Sequence, residues 1–311
     1  MVNGPKALIV GATGFLGRAL VGRLHRDGIP TYILLFHDRP RRPLPAGHVI
    51  ESRSSVATDI RAALDGAKFD CVYHVAAAGV SPGERDPQSL LDGNLGLISN
   101  VLLAMAHSPP RRFVYTGSCT EYSRAEPPQL IPEEHPTLPR SVYGAAKAAA
   151  TIWATALAQK LGISLVTLRI FHIYGPGEAS SRLVPYLVDC LRHDVRAKLT
   201  KGEQYRDVLY LDDAVSAMLA AGAAPTLAEN LYNVCSSRPV SVRGLADTAA
   251  SVLGKSTDFL EFGALPYRLD EEMWIVGDNR RFLRDTTWSP AFSLEEGLTH
   301  VVRARVEQLP E

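Results

Sequence analysis

The chain of 311 residues carries no excess charge of either sign: Lys+Arg and Asp+Glu stand at 33 each. Nothing in that balance draws it to nucleic acid or to a membrane surface, although a local basic pocket for an anionic ligand stays compatible with it. Cysteine is scarce. The four residues Cys71, Cys119, Cys190 and Cys235 lie far apart and form no C-x-x-C pair, which argues against a zinc site or a disulfide framework and fits a reducing cytoplasm. No apolar run approaches transmembrane length. The opening "MVNGPKALIVGATG" lacks the charged region and long apolar run of a secretory signal, because glycines interrupt it early. Internal repeats and low-complexity tails are missing as well. The length leaves room for one large α/β domain or for two unequal lobes.

Two patterns alternate along the chain. Apolar, β-branched runs read as strands at 6–11, 31–36, 71–76, 112–118, 164–170 and 231–236. Helix-like segments lie between them at 17–28, 58–66, 94–108, 143–162 and 211–224. Continuous apolar strands alternating with helices predict a Rossmann-type, doubly wound parallel sheet. The alternation breaks over 172–207 and 237–311, the latter reading as short helices and loops. The expected organisation is a dinucleotide-binding domain of residues 1–171 plus 208–236, and a smaller mixed α/β substrate lobe of 172–207 plus 237–311.

"KALIVGATGFLGRAL" runs strand, G-x-x-G-x-x-G, helix, with Gly11, Gly14 and Gly17 carrying the spacing. A tight turn has to end the strand, backbone has to approach a pyrophosphate, and the helix has to pack close to the strand. The expected cofactor is NAD(P). An acid at the end of the second strand would accept hydrogen bonds from the adenosine ribose and repel a 2′-phosphate, and neither Leu35 nor Phe36 is acidic. His37, Arg39, Arg41 and Arg42 read either as a phosphate clamp or as a solvated basic loop. The reading leans to NADP(H).

Tyr143 and Lys147 in "RSVYGAAKAAA" stand one helical turn apart. On spacing alone they are an exposed helix pair or a catalytic pair. The surrounding motifs, in order, are "GATGFLG" (11–17), "YHVAA" (73–77), "NLGLISNVL" (94–102), "FVYTGSCTEYS" (113–123), "YGAAK" (143–147), "LRIFHIYGPGE" (168–178), "YRDVLYLDD" (205–213) and "WSPAFSLEEGL" (288–298). With them the chain resembles the extended short-chain dehydrogenase/reductases, specifically the nucleotide-sugar epimerases, dehydratases and reductases, over nearly its whole length. The resemblance implies that Tyr143 is the acid/base, that Lys147 lowers its pKa and holds the nicotinamide ribose, and that Ser118 hydrogen-bonds the reacting oxygen. A tyrosine with a reference pKa of about 10 needs such help at neutral pH. It also implies cofactor contacts from Gly11, Thr13, Gly14, Phe15, Leu16, Gly17, Ala76 and Ala77. Arg53 or Asp59 is the candidate near the adenine.

The same resemblance bears on the reaction. Sugar 4,6-dehydratases of the family carry an acid at the place of Thr120, often with another at Cys119. This chain has neither, which disfavours elimination of water. Thr120 hydrogen-bonds the sugar or fills the strand end. His172 stands where an asparagine commonly touches substrate. Arg206 and Arg268 match arginines that hold the nucleotide diphosphate, a use that suits the two-pronged guanidinium, or each forms a surface ion pair. Asp212 and Asp213 read as a helix start, and no metal is expected. Three functions follow: a nucleotide-sugar 4-ketoreductase of deoxysugar biosynthesis, which is favoured; an NAD-dependent nucleotide-sugar 4-epimerase; and a dinucleotide-sensing protein without turnover. In the family the helices at 94–108 and 143–162 pair with their copies, so a homodimer is expected.

Overall fold

The six apolar runs become strands of one parallel sheet, joined at one edge by a seventh strand, His48–Ser52. The strands are β1 (Ala7–Val10), β2 (Thr31–Phe36), β3 (His48–Ser52), β4 (Cys71–His74), β5 (Arg112–Ser118), β6 (Leu165–Ile170) and β10 (Leu231–Val234). The computed structural model describes residues 5–36, 44, 47–80, 86–268 and 271–307. The sheet order is β3-β2-β1-β4-β5-β6-β10, and every pair in it is parallel. The chain leaves β1 towards one edge and returns on the other side at β4. The carboxyl ends of β1 and β4 therefore flank the crevice in which a doubly wound sheet takes its ligand.

Two layers of helix cover the sheet. Helices α1 (Phe15–Arg26) and α7 (Leu211–Ala223) close a core around Ile9, Leu20, Ile33, Val166 and Met218. On the other face α2 (Ala57–Leu64), α4 (Leu97–Met105) and α5 (Val142–Leu161) close a second core around Leu8, Ile60, Val101, Phe113 and Ala154. The helix expected over 94–108 is a composite: α3 (Pro87–Leu91), one π turn over Asp92–Gly96, then α4. Asn94 inside the π turn donates to the carbonyls of Leu90 (2.8 Å) and Ala78 (3.1 Å), so the irregular turn lies against the loop after β4. Strand β4 ends at His74 rather than Ala76, because the N–H groups of Val75 and Ala76 both turn to the carbonyl of Val10 (2.8 and 3.0 Å).

A second sheet comprises β11 (Pro239–Ser241), β9 (Tyr205–Tyr210) and β13 (Trp274–Ile275), with β7 (His172–Tyr174) also on β9. β8 (Ala197–Leu199) pairs with β12 (Leu260–Phe262). Their core, with Leu187, Leu191, Leu245 and Leu298, is covered by α6 (Leu183–Arg192), α8 (Val242–Leu253) and α10 (Leu294–Glu307). β9 runs across the 207/208 division expected from sequence, and α8 and α10 are regular helices of 12 and 14 residues. The short α9 (Arg280–Asp285) returns Phe282 to the first core, beside Trp288.

Candidate active site

The turn after β1 is shaped by its glycines. Gly11 has φ +97°, and a Cβ there would lie 2.4 Å from the backbone nitrogen of Ala76. The "GATGFLG" and "YHVAA" motifs thus meet backbone to backbone. A Cβ on Gly17 would lie 2.1 Å from the carbonyl oxygen of Gly11, so only glycine lets α1 start this close to the strand. Gly14 caps α1 with no side-chain bond, and no acid sits in the first turn. The free N–H groups of that helix end form a cradle for an anion, as a dinucleotide pyrophosphate requires. Thr13 is exposed at this loop, and Phe15 and Leu16 are half-buried at the helix start. Ala77 follows Ala76 in the facing loop. His37, Arg39, Arg41 and Arg42 lie outside the described residues. Arg53 and Asp59 form an ion pair of 3.1 Å with each other.

Ser118 ends β5 and opens a single 3₁₀ turn, Cys119–Glu121. Its Oγ lies 2.8 Å from Thr120 Oγ1 and accepts from the Thr120 N–H (3.2 Å). α5 begins beside this turn. Ser141 caps it by accepting from the Gly144 N–H (3.0 Å). A Cβ on Gly144 would sit 2.3 Å from the Thr120 carbonyl oxygen, so the glycine after Tyr143 is what lets the helix approach. Tyr143 is half-buried, and Ser118 is among the groups that act on its hydroxyl. The serine turn and the start of α5, which carries Tyr143, thus lie side by side.

Lys147 lies on the same helix face but reaches into the sheet. It is 1% exposed. Its Nζ donates to the Thr116 carbonyl (2.6 Å) and to Tyr115 Oη (2.9 Å). Burial lowers its pKa to about 8, opposed by the charge of Glu121. The Tyr143 hydroxyl is pushed up to about 12, first by burial and then by Cys119 and Glu121, against Ser118 and Arg182. The family resemblance implies that Lys147 lowers the Tyr143 pKa; here Lys147 bonds to Tyr115 and Thr116, and burial is the largest influence on Tyr143.

The carboxylate of Glu121, which the sequence reading left without a role, is fully buried. Oε1 accepts from the Ser118 N–H (2.7 Å) and from Thr151 Oγ1 (3.1 Å), and Oε2 accepts from Arg169 Nε (2.8 Å). A local signal existed: Glu at the third place after the serine makes a reciprocal capping box. Cys119 is buried, and burial pushes its thiol up to about 12, as a packing residue requires.

The substrate-lobe residues divide. His172 is held neutral, its pKa lowered to about 3 by burial and by Arg206 and Arg182. Its Nδ1 is buried with no protein partner. Arg206 is engaged by the protein. It pairs with Glu271 (2.5 Å) and donates to the Glu272 carbonyl (2.6 Å). Arg268 is exposed, and its carbonyl accepts from the N–H of Glu271 (3.1 Å). Arg182, not singled out from sequence, is the half-exposed cation that acts on both Tyr143 and His172. Asp213 caps no metal: it accepts from the N–H groups of Ala291 and Phe292 (2.8 and 3.2 Å). No cluster of metal-ligating side chains occurs among the described residues.

The parallel sheet, the glycine cradle and the Ser-Tyr-Lys constellation define an enzyme of the extended short-chain dehydrogenase/reductase type. Residues 7–235 match the NAD dependent epimerase/dehydratase family, and the chain belongs to it. A CDP-abequose synthase from Salmonella typhimurium is 33% identical over 147 residues, a match spanning 45% of this chain and 48% of that one. A dTDP-6-deoxy-L-talose 4-dehydrogenase (NAD(P)(+)) from Kitasatospora kifunensis is 27% identical across 96% of this chain and 95% of its own. A UDP-glucose 4-epimerase from Mycolicibacterium smegmatis is 27% identical across 96% and 97%. Among the described residues no helix is long and apolar enough to cross a membrane.

Proposed function

We propose that the protein is a nucleotide-sugar 4-ketoreductase: it delivers hydride to a keto-deoxysugar nucleotide and a proton to the resulting oxygen. The observation that carries this reading is the serine turn. The Ser118 and Thr120 hydroxyls lie 2.8 Å apart beside the start of the helix that carries Tyr143, while the acid of the turn, Glu121, is locked in three hydrogen bonds. The turn can bind and protonate a carbinol oxygen but offers no free carboxylate for eliminating water. Tyr143, pushed up to about 12, rests in its acid form, which is the form a reduction consumes. The full-length similarity to a deoxysugar 4-dehydrogenase supports the same substrate class.

A bound dinucleotide supplies the hydride. Gly11, Gly14, Gly17 and the start of α1 would hold its pyrophosphate, with Ala76 and Ala77 opposite. The absence of an acid at Leu35 favours NADP(H). Ser118 and Thr120 orient the substrate oxygen, Tyr143 moves the proton, and Lys147 keeps a positive charge beneath them. His172, Arg206 and Arg268 belong to the proposed substrate lobe, in which Arg206 first has to exchange Glu271 for phosphate.

The reading is tested by mixing the enzyme with NADPH or NADH and a panel of nucleotide 4-ketosugars. Stoichiometric oxidation of the cofactor is expected. A 4-epimerase, the alternative, would instead interconvert two sugar epimers with no net cofactor use, and that result would replace the reductase reading.

We also propose a homodimer through α4 and α5. Leu103, Ile152 and Trp153 are 43%, 64% and 52% exposed on these two helices, an apolar face that calls for cover. Light scattering should give a dimer mass for the native chain and a monomer mass for Trp153→Asp; a native monomer refutes the interface.

A further inference from the structure

Three elements carry the reacting groups: the end of β5, the 3₁₀ turn and α5. One carboxylate touches all three. Glu121 belongs to the turn, accepts from the backbone of Ser118 and accepts from Thr151. Thr151 lies one helical turn beyond Lys147 and two beyond Tyr143, on the same stripe of α5. Gly117 makes room for this: a Cβ there would stand 2.7 Å from Glu121 Oε1. Behind the carboxylate, Arg169 on β6 donates to Oε2, reaches Thr137 Oγ1 (3.1 Å) and stacks 4.3 Å over the Tyr122 ring. Both members of the ion pair are buried, at 0% and 3% exposure. A buried pair of this kind adds little to stability compared with an apolar replacement, so its presence calls for another reason.

We propose that Glu121 is a positioning residue for hydride transfer, which through Ser118 and Thr151 fixes the serine relative to the helix that carries Tyr143 and Lys147. This inference rests on the oxidoreductase reading above. A second consequence follows from the charge. Lys147 is faced by Glu121, Tyr115 and His74; Tyr143 by Ser118, Cys119, Tyr115, Glu121 and Arg182; and Glu121 itself by Arg169, Lys147, Tyr115, Tyr122, Tyr143 and Cys119. The charge of Glu121 favours the ammonium form of Lys147.

Two variants separate geometry from charge, each assayed with NADPH and a nucleotide 4-ketosugar that the native enzyme reduces in the panel. Glu121→Gln removes the charge and presents an amide N–H to Arg169. It should lower kcat by about 10²-fold, the scale of a small misplacement, with KM changed by no more than about 3-fold. It should also move the alkaline limb of the kcat profile to lower pH. Thr151→Val keeps the charge and cuts only the tie to α5. Its kcat should fall by roughly 10-fold, with the alkaline limb unmoved. Melting temperatures of both variants exclude unfolded enzyme as the cause. Native kcat in a folded Thr151→Val, or losses in both variants that appear in KM alone, would overturn the inference while leaving the oxidoreductase reading intact. Failure of the native enzyme to transfer hydride to any nucleotide sugar overturns both.

Discussion

Tyr143→Phe is expected to lower kcat by about 10²–10⁴-fold, the usual worth of a positioned acid/base, while dinucleotide affinity and melting temperature stay near native. The reasoning is local. The phenyl ring keeps the packing and loses only the hydroxyl, on which Ser118 acts. Lys147 keeps its bonds to Tyr115 and Thr116, because neither involves Tyr143. Single-turnover oxidation of NADPH is the measurement, and retention of more than a tenth of the native rate would remove Tyr143 from the mechanism.

The native enzyme carries a pH signature that accompanies this result. Lys147 titrates near 8, below its ordinary 10.5, because burial disfavours the ammonium. It is charged below about pH 8 and neutral above, so kcat should fall as pH rises through that value. Unfolded chains still bind this proton up to about pH 10.4. Between those limits the unfolded state holds more protons, and the contribution of Lys147 to stability rises with pH. Activity and this share of stability therefore move in opposite directions, which separates titration of the site from alkaline denaturation.

The parts of the molecule that were legible are those governed by short-range rules. Strands β2 and β5 were read to the residue, since each holds consecutive apolar or aromatic side chains, Tyr32–Leu34 and Phe113–Tyr115, between clear stops. β3 is not among the strands expected from the sequence. Its "HVIES" is mostly exposed, so neither a period nor an apolar run marks it. Tyr143 and Lys147 were legible as a pair because one helical turn separates them. What the lysine bonds to was not: Tyr115 lies 32 residues away on β5. The same holds for Glu121 with Arg169, 48 residues apart, and for Arg206 with Glu271, 65 apart. Ion pairs across the fold leave no periodic trace. The sign of the Tyr143 shift was also beyond sequence, because it depends on how completely the ring is desolvated.

Two glycines of the first loop should fail in different ways when given a methyl group, and a third glycine inside α1 serves as their control. Gly17→Ala forces a Cβ to 2.1 Å from the Gly11 carbonyl oxygen and 2.9 Å from Ala12 Cα. Both obstacles are backbone and cannot rotate away. The variant should lose about 1–3 kcal/mol of stability or more, as overpacked cores do, together with dinucleotide binding. Gly14→Ala is different. Its φ is −76°, open to any residue, and the nearest atom to a Cβ is the Gly11 carbonyl oxygen at an ordinary 3.5 Å. It should fold as well as the native chain, yet its Cβ stands at the mouth of the cradle, so dinucleotide affinity should drop by about 10-fold or more. Gly22→Ala is the control. It lies in mid-helix with only the far end of Arg26 within 3.7 Å, and should gain about 0.5–1 kcal/mol from helix propensity with binding unchanged. Thermal unfolding with and without NADPH reads all three, since a ligand that binds only the folded state raises its apparent stability. A Gly14→Ala protein that is still protected by the dinucleotide as strongly as the native one would show that the pyrophosphate does not lie at this helix end. A stable, protected Gly17→Ala would show that the close approach of α1 to its strand is dispensable.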